Sequence, residues 1–246
     1  MKFLDTPQGR RIAYNQTEGQ GPTILFCSGL KSDMEGTKAV HLEAWAQEKG
    51  YPFVRFDYSG HGISSGEFAE GAIGDWHEDT LAIVDQVIDG PIIVVGSSMG
   101  GWQALLLAKA RPERIAGMVT IAAAPDFTED GYWASFTDDQ KASLETEGHV
   151  AIPSEYDEDY IITKRLIEEG RSRLVLRDPL SLPFPVRFLQ GTEDTAVPTA
   201  TAVRLLEHAE GDDIRLTLVK GADHRFSDPE CLALIAKSVK IVLARQ

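Results

Sequence analysis

Residues 92–101 read Ile92-Ile93-Val94-Val95-Gly96-Ser97-Ser98-Met99-Gly100-Gly101. Four apolar, β-branched residues are followed by glycine-x-serine-x-glycine, and then by the largely apolar run Trp102–Ala110. The first part reads as a strand buried on both faces and the last as a buried helix. A serine on so tight a strand-to-helix turn is lifted clear of the backbone. It needs glycine at 96 and 100, because the flanking chains pack too closely for a β-carbon. The helix dipole favours negative charge at that turn. Ser98 is therefore the candidate nucleophile, and Ser97, one position earlier, points elsewhere.

Outward from this turn the chain alternates apolar runs of strand length with amphipathic stretches. Strands are expected at Thr23–Cys27, Phe53–Phe56, Ile92–Val95, Met118–Ala122, Val186–Leu189 and Ile214–Val219, after an N-terminal hairpin that turns at Pro7-Gln8-Gly9. Helices are expected at Thr37–Glu48, Asp75–Ile88, Ser98–Ala110, Thr199–Glu207 and Pro229–Leu243. Asp75 with Glu78 suggests a capping box, and Asp228-Pro229 an N-cap followed by proline at the first helical position. The alternation predicts an α/β fold with a mostly parallel sheet and helices on both faces. The site in such a sheet lies at the carboxyl ends of the strands.

The rhythm breaks between Asp126 and Pro183, where no strong strand signal occurs. Two helices are expected there, Asp138–Glu145 behind Thr137 and Glu158–Glu169 ended by Gly170. We read the chain as one domain, residues 1–246, with 126–183 inserted as a helical cap over the strand ends; a long edge connection is the alternative. The aromatics Phe127, Tyr132, Trp133, Phe136, Tyr156 and Tyr160 would line an apolar acyl pocket, or simply pack the cap onto the sheet.

A serine hydroxyl needs a neighbouring base. Of the six histidines, His41, His77 and His208 lie in helix patterns, His149 lies in the cap, and His61 lies in the glycine turn Ser59-Gly60-His61-Gly62. His224 alone occupies a loop between the last strand and the last helix, so it is the candidate base. A carboxylate must hold its tautomer. Asp194, in Gln190-Gly191-Thr192-Glu193-Asp194 after a strand, leads over Asp126, Glu193 and Asp223, and gives the chain order Ser, Asp, His. Turnover also needs donors for an oxyanion. The backbone N–H of Met99 is expected to be one, and that of Leu30, in Ser28-Gly29-Leu30-Lys31-Ser32, the other.

Five motifs in this order resemble the α/β-hydrolase superfamily over nearly the whole chain. They are Ser28-Gly29-Leu30 as oxyanion loop, Asp57-Tyr58-Ser59-Gly60-His61-Gly62-Ile63-Ser64 as glycine turn, Gly96–Gly100 as nucleophile elbow, Gly191–Asp194 as acid loop and Gly221–His224 as histidine loop. The chain departs from a common family pattern in having Ser28, not histidine, before the loop glycine. The longer stretch 28–39, with 97–102, is similar to a subgroup that includes a mitochondrial palmitoyl-protein thioesterase, also known as an acyl-glucuronide esterase. The resemblance implies hydrolysis of a carboxylic ester or thioester through an acyl-enzyme. Acyl transfer, carbon–carbon or peptide-bond cleavage on the same fold, or a non-catalytic ligand-binding protein, are the alternatives.

Composition narrows the partners. Asp and Glu outnumber Lys and Arg 38 to 24, a formal charge of −14, which repels phosphate backbones. No nucleic-acid partner is expected; a small-molecule or acylated-protein substrate is. No H-E-x-x-H, paired-cysteine zinc spacing or P-loop occurs, so no metal and no organic cofactor is expected. Cys27 and Cys231 are the only cysteines, far apart in apolar runs, and read as reduced buried thiols in a cytoplasmic setting. No export signal and no membrane span are expected. Oligomeric state and natural substrate are not legible.

Overall fold

The computed structural model describes residues 1–152 and 159–245. Strands β1 (Lys2–Asp5) and β2 (Arg11–Thr17) form the expected hairpin. They are followed by β3 (Thr23–Cys27), helix α1 (Thr37–Lys49), β4 (Phe53–Phe56), α2 (Ile73–Val87), β5 (Ile92–Ser97), α3 (Met99–Ala110) and β6 (Ile115–Ile121). After the 126–183 segment come β10 (Val186–Gly191), α6 (Thr199–His208), a two-residue strand β11 (Ala209–Glu210), β12 (Ile214–Val219) and α7 (Pro229–Leu243). Within the segment lie a π-helical turn at Phe127–Trp133, α4 (Asp138–Thr146), β7 (His149–Ile152), β8 (Tyr160–Thr163), α5 (Lys164–Arg171) and β9 (Leu180–Ser181).

Eight strands form one sheet in the order β1-β2-β4-β3-β5-β6-β10-β12, and every pairing from β4 to β12 is parallel. β3, β4, β5 and β10 are buried along their whole length, which is why their sequences show continuous apolar runs instead of alternation. α1 and α7 cover one face through Ala39, Leu42, Ala46, Ile235 and Val239. α2 and α3 cover the other through Trp76, Ile83, Trp102 and Leu105. The expected α/β architecture is the observed one.

Local signals explain most helix ends. Asp228 caps α7 by accepting the N–H groups of Glu230 and Cys231, both at 2.9 Å, and Thr137 caps α4 by accepting that of Gln140. α2 corrects the expectation: it begins at Ile73, not Asp75. Asp75 instead reaches back from the first turn to the Ala72 N–H at 2.8 Å.

The 126–183 segment departs furthest from the sequence reading. The helix expected at 158–169 is a strand followed by a helix: Tyr160–Thr163 pairs antiparallel with His149–Ile152, and the Thr163 hydroxyl then caps α5 by accepting the Leu166 N–H. Glu158 and Tyr156 lie outside the described residues. The aromatics divide. Phe127, Tyr132 and Phe136 make a chain of ring contacts that starts on Trp102 of α3. Trp133 is flanked by Lys141 and Arg171. Tyr160 instead faces Lys31, the residue after Leu30, at 5.2 Å. Cys27 and Cys231 are buried free thiols, and no helix among the described residues is long and apolar enough to cross a membrane.

Candidate active site

Ser98 stands between the end of β5 and the first turn of α3 with φ 56° and ψ −119°. A residue with a β-carbon holds such a conformation at a cost of about 1–3 kcal/mol, and only where its surroundings fix it. Here they do: the Ser98 N–H donates to Ile121 O at 2.9 Å, and the Ser98 carbonyl accepts from Gly101 and Ala124 at 2.9 and 3.1 Å. The flanking glycines are steric necessities. A β-carbon at 96 would sit 2.2 Å from Gly100 O, and one at 100 would sit 2.0 Å from Cys27 O.

The loop after β12 delivers His224. Its Nε2 is 3.1 Å from Ser98 Oγ, and its Nδ1 is 2.9 and 3.1 Å from the two carboxylate oxygens of Asp194. The ionised carboxylate assigns the proton to Nδ1, leaving Nε2 to accept from the serine hydroxyl. Asp194 arrives from the loop after β10. This loop and the histidine loop approach so closely that a β-carbon at Gly191 would lie 2.1 Å from Ala222 O.

The Asp194 side chain is fully buried, whereas that of His224 is 30% exposed. Burial alone would raise the Asp194 pKa. The bond to His224, the Val197 N–H and the Gln190 amide more than offset it and hold the group below its ordinary range. Gln190 was not singled out from sequence; its Nε2 donates to Asp194 Oδ2 at 2.9 Å and to Val197 O at 3.1 Å.

The three competing carboxylates are placed elsewhere. Asp126 is fully buried but accepts the N–H groups of Val175 and Leu176 at 2.7 and 3.0 Å and pairs with Arg177. Burial pushes its pKa up, only partly opposed by those donors. It fastens the 126–183 segment and does not meet His224. Asp223 accepts the Phe226 N–H and shapes the histidine loop. Glu193 is exposed.

The loop Ser28-Gly29-Leu30 lies against the serine: a β-carbon at Gly29 would sit 3.4 Å from Ser98 Cβ. Among the described residues, the N–H groups of Leu30 and Met99 donate to no protein acceptor. Lys31 has φ 56°, and its N–H donates to His61 Nε2 at 3.1 Å. The sequence places His61 only in a glycine turn; its partner lies 30 residues away, beyond any periodic signal. No group of three or more His, Cys, Asp or Glu that could hold a metal occurs among the described residues.

This geometry agrees with the comparisons. A family model described as Serine aminopeptidase, S33 (Hydrolase_4) matches residues 21–160. The rat protein named palmitoyl-protein thioesterase ABHD10, mitochondrial, is 35% identical over 237 residues, spanning 96% of this chain and 80% of that one. The mouse α/β hydrolase domain-containing protein 10 has a solved structure 32% identical, covering 99% of this chain and 98% of its own, with a TM-score of 0.92. A crystal structure of an Agrobacterium vitis protein is 38% identical, with 98% of both chains covered and a TM-score of 0.95. The order of strands, the turn at Ser98 and these matches lead to one conclusion: the chain is an α/β-hydrolase and belongs to the Hydrolase_4 family.

Proposed function

We propose that this hydrolase is a serine esterase and thioesterase, with Ser98 as nucleophile, His224 as general base and Asp194 as the acid that orients it. The observation that carries the reading is the continuous relay from Ser98 Oγ through His224 to Asp194, at 3.1 and 2.9 Å. Ser98 Oγ attacks the acyl carbonyl carbon while His224 Nε2 takes the hydroxyl proton. The negative charge on the carbonyl oxygen is met by the N–H groups of Leu30 and Met99. Collapse breaks the bond to the alcohol or thiol, which leaves with the proton from His224. Water, deprotonated by the same imidazole, then attacks the acyl-serine. It releases the carboxylic acid and restores the Ser98 hydroxyl. No step uses a metal or an organic cofactor.

The acyl half of the substrate is read from two supports. Relatives sharing about a third of the sequence are named palmitoyl-protein thioesterases. Around the oxyanion loop, Leu30, Phe68 and Tyr160 are partly buried apolar groups packed on the core. We read residues 126–183 as a cap on this side of the sheet, bordering an acyl pocket through Tyr160, while Phe127, Tyr132 and Phe136 anchor it to α3. The substrate is then a small acyl ester or thioester, or an acylated protein. The two buried thiols suit a reducing, cytoplasmic setting.

Matched ester and thioester series from two to sixteen carbons test this. Each buried methylene contributes up to about 0.8 kcal/mol, so kcat/KM should climb by up to ~4-fold per carbon until the pocket is filled. A steep preference for acetyl rejects the acyl pocket, and inactivity on both series rejects the esterase reading.

A further inference from the structure

The glycine turn after β4 makes a set of contacts that the serine–histidine–aspartate relay does not use, and they converge on the oxyanion loop. His61 is 4% exposed. Its Nδ1 lies 3.1 Å from Ser59 O, and its Nε2 accepts the Lys31 N–H at 3.1 Å. The Ser59 carbonyl also takes the Trp76 indole N–H at 3.0 Å, so the group that orients the imidazole is itself fixed. Tyr58, Phe68 and Trp76 box the ring edge-on, with centroids 5.6, 5.3 and 5.1 Å away. Asp57, from the same glycine turn, repeats the device three residues after Lys31: its Oδ1 accepts the Met34 N–H at 2.6 Å, while its Oδ2 accepts the Ile63 N–H of its own turn at 3.0 Å.

The bond from Lys31 falls at a telling place. Its N–H belongs to the peptide plane that joins Leu30 to Lys31, immediately after the proposed oxyanion donor. Lys31 also holds φ 56°, a conformation that a residue with a β-carbon keeps only when neighbours impose it. Fixing that plane fixes the rotation about the Leu30 Cα–C bond, and with it the path of the loop that presents the Leu30 N–H.

We propose that His61 is a positioning residue for catalysis: by accepting the Lys31 N–H it holds the Leu30–Lys31 peptide plane and so aims the Leu30 N–H at the developing oxyanion. The inference rests on the reading of Ser98 as nucleophile and Leu30 as donor. Burial, opposed in part by the Ser59 carbonyl, keeps the His61 pKa down at about 4. The imidazole is therefore neutral near pH 7, and its Nε2 lone pair stays available to the loop.

The test compares His61→Phe, which fills the aromatic box without an acceptor, with His61→Gln, whose amide oxygen can accept. Ester hydrolysis and affinity for a trifluoromethyl ketone, which forms an oxyanion on the nucleophile, are read on both. Loss of a whole oxyanion donor costs 10²–10³ in turnover; a misaimed one should cost His61→Phe about 10- to 100-fold in kcat. KM should stay within about threefold, the ketone affinity should fall in step with kcat/KM, and His61→Gln should recover most of both. The proposal is overturned if His61→Phe keeps wild-type kcat and ketone affinity. It is equally overturned if both variants lose activity only in proportion to the sites titrated by a fluorophosphonate, since that is loss of folded protein. A second measurement needs no variant: a ¹⁵N–¹⁵N coupling across the hydrogen bond between Lys31 N and His61 Nε2 is expected in the wild-type protein, and its absence overturns the proposal. Failure of the wild type to label at Ser98 would instead strike the nucleophile reading.

Discussion

Asp194→Asn and Asp126→Asn exchange the same atoms in two buried carboxylates, yet their effects should be opposite in kind. In Asp194→Asn the amide oxygen can keep the Ala196 and Val197 N–H groups now held at 3.0 and 2.8 Å. The amide nitrogen then falls where Oδ2 accepts from Gln190 and His224, both at 2.9 Å. A donor there forces His224 Nδ1 to accept, so the ring proton moves to Nε2 and faces the Ser98 hydroxyl as a second donor. The imidazole can no longer take the serine proton, and turnover should fall by about 10⁴, or ~5 kcal/mol of transition-state stabilisation. Stability should change by only about 1–2 kcal/mol, the cost of the mispaired Gln190 amide.

In Asp126→Asn one of the two N–H groups of Val175 and Leu176 meets a donor, and the Arg177 pair, 35% exposed on the arginine side, is weakened. That should cost roughly 2–3 kcal/mol, most of it from the buried N–H rather than the screened ion pair. At about 2–4 °C per kcal/mol for a chain of this size, Tm should drop by roughly 5–10 °C. Below that transition kcat should stay within about tenfold of wild type. Thermal melts and kcat measured on both variants at one temperature, well below either transition, check the pair. If Asp126→Asn abolished turnover in folded protein while Asp194→Asn stayed within tenfold, the acid would sit after β6 and the site assembled above would be wrong.

Gly100→Ala places a β-carbon 2.0 Å from Cys27 O and 2.6 Å from Ser28 O, where only backbone could yield. It should cost at least about 3 kcal/mol, read as a lowered denaturant midpoint, and an unchanged midpoint would contradict the packing of the turn. Burial holds His61 and His77 down at about 4, against 6.5 for the free side chain. The unfolded chain therefore binds more protons between those values. This share of stability is complete above about pH 6.5 and is lost as pH falls to 4, by up to ~3 kcal/mol per histidine. Urea midpoints should decline between pH 7 and 4.5 and decline less in His77→Phe; equal slopes would refute the assignment. Asp57, Asp79 and Asp126, pushed up by burial, act in the opposite sense, from the ordinary carboxylate value of ~3.9 upward, and so oppose part of the histidine effect.

The parts of the molecule legible in the sequence are those whose signal is local. β3, β4 and β12 lie where their apolar or β-branched runs end, and Gly96 is demanded within the Ser98 turn itself, by Gly100 O. His224 and Asp194 meet, as their places after the last strands imply, because the parallel sheet brings strand ends together. Residues 126–183 are the least legible stretch. Tyr160-Ile161-Ile162-Thr163 carries a strand's β-branched run, but the i, i+4 spacing from Ile162 to Leu166 also fits a helix face. What decided it was pairing with residues 149–152, a contact that no periodicity reports. His61 and Gln190 escaped for a similar reason: one aims at a loop 30 residues upstream, and the other at an acid four residues on through a turn.

The central claim is that Ser98 forms the covalent bond, and intact-protein mass spectrometry after treatment with a fluorophosphonate tests it most directly. Its close neighbour Ser97 ends β5 and is 6% exposed, which makes Ser97→Ala the matched control. One phosphonyl adduct per chain is expected, mapped to the Ser98 peptide, absent in Ser98→Ala and retained in Ser97→Ala. An adduct that persisted in Ser98→Ala, or a wild-type protein that took none, would contradict it.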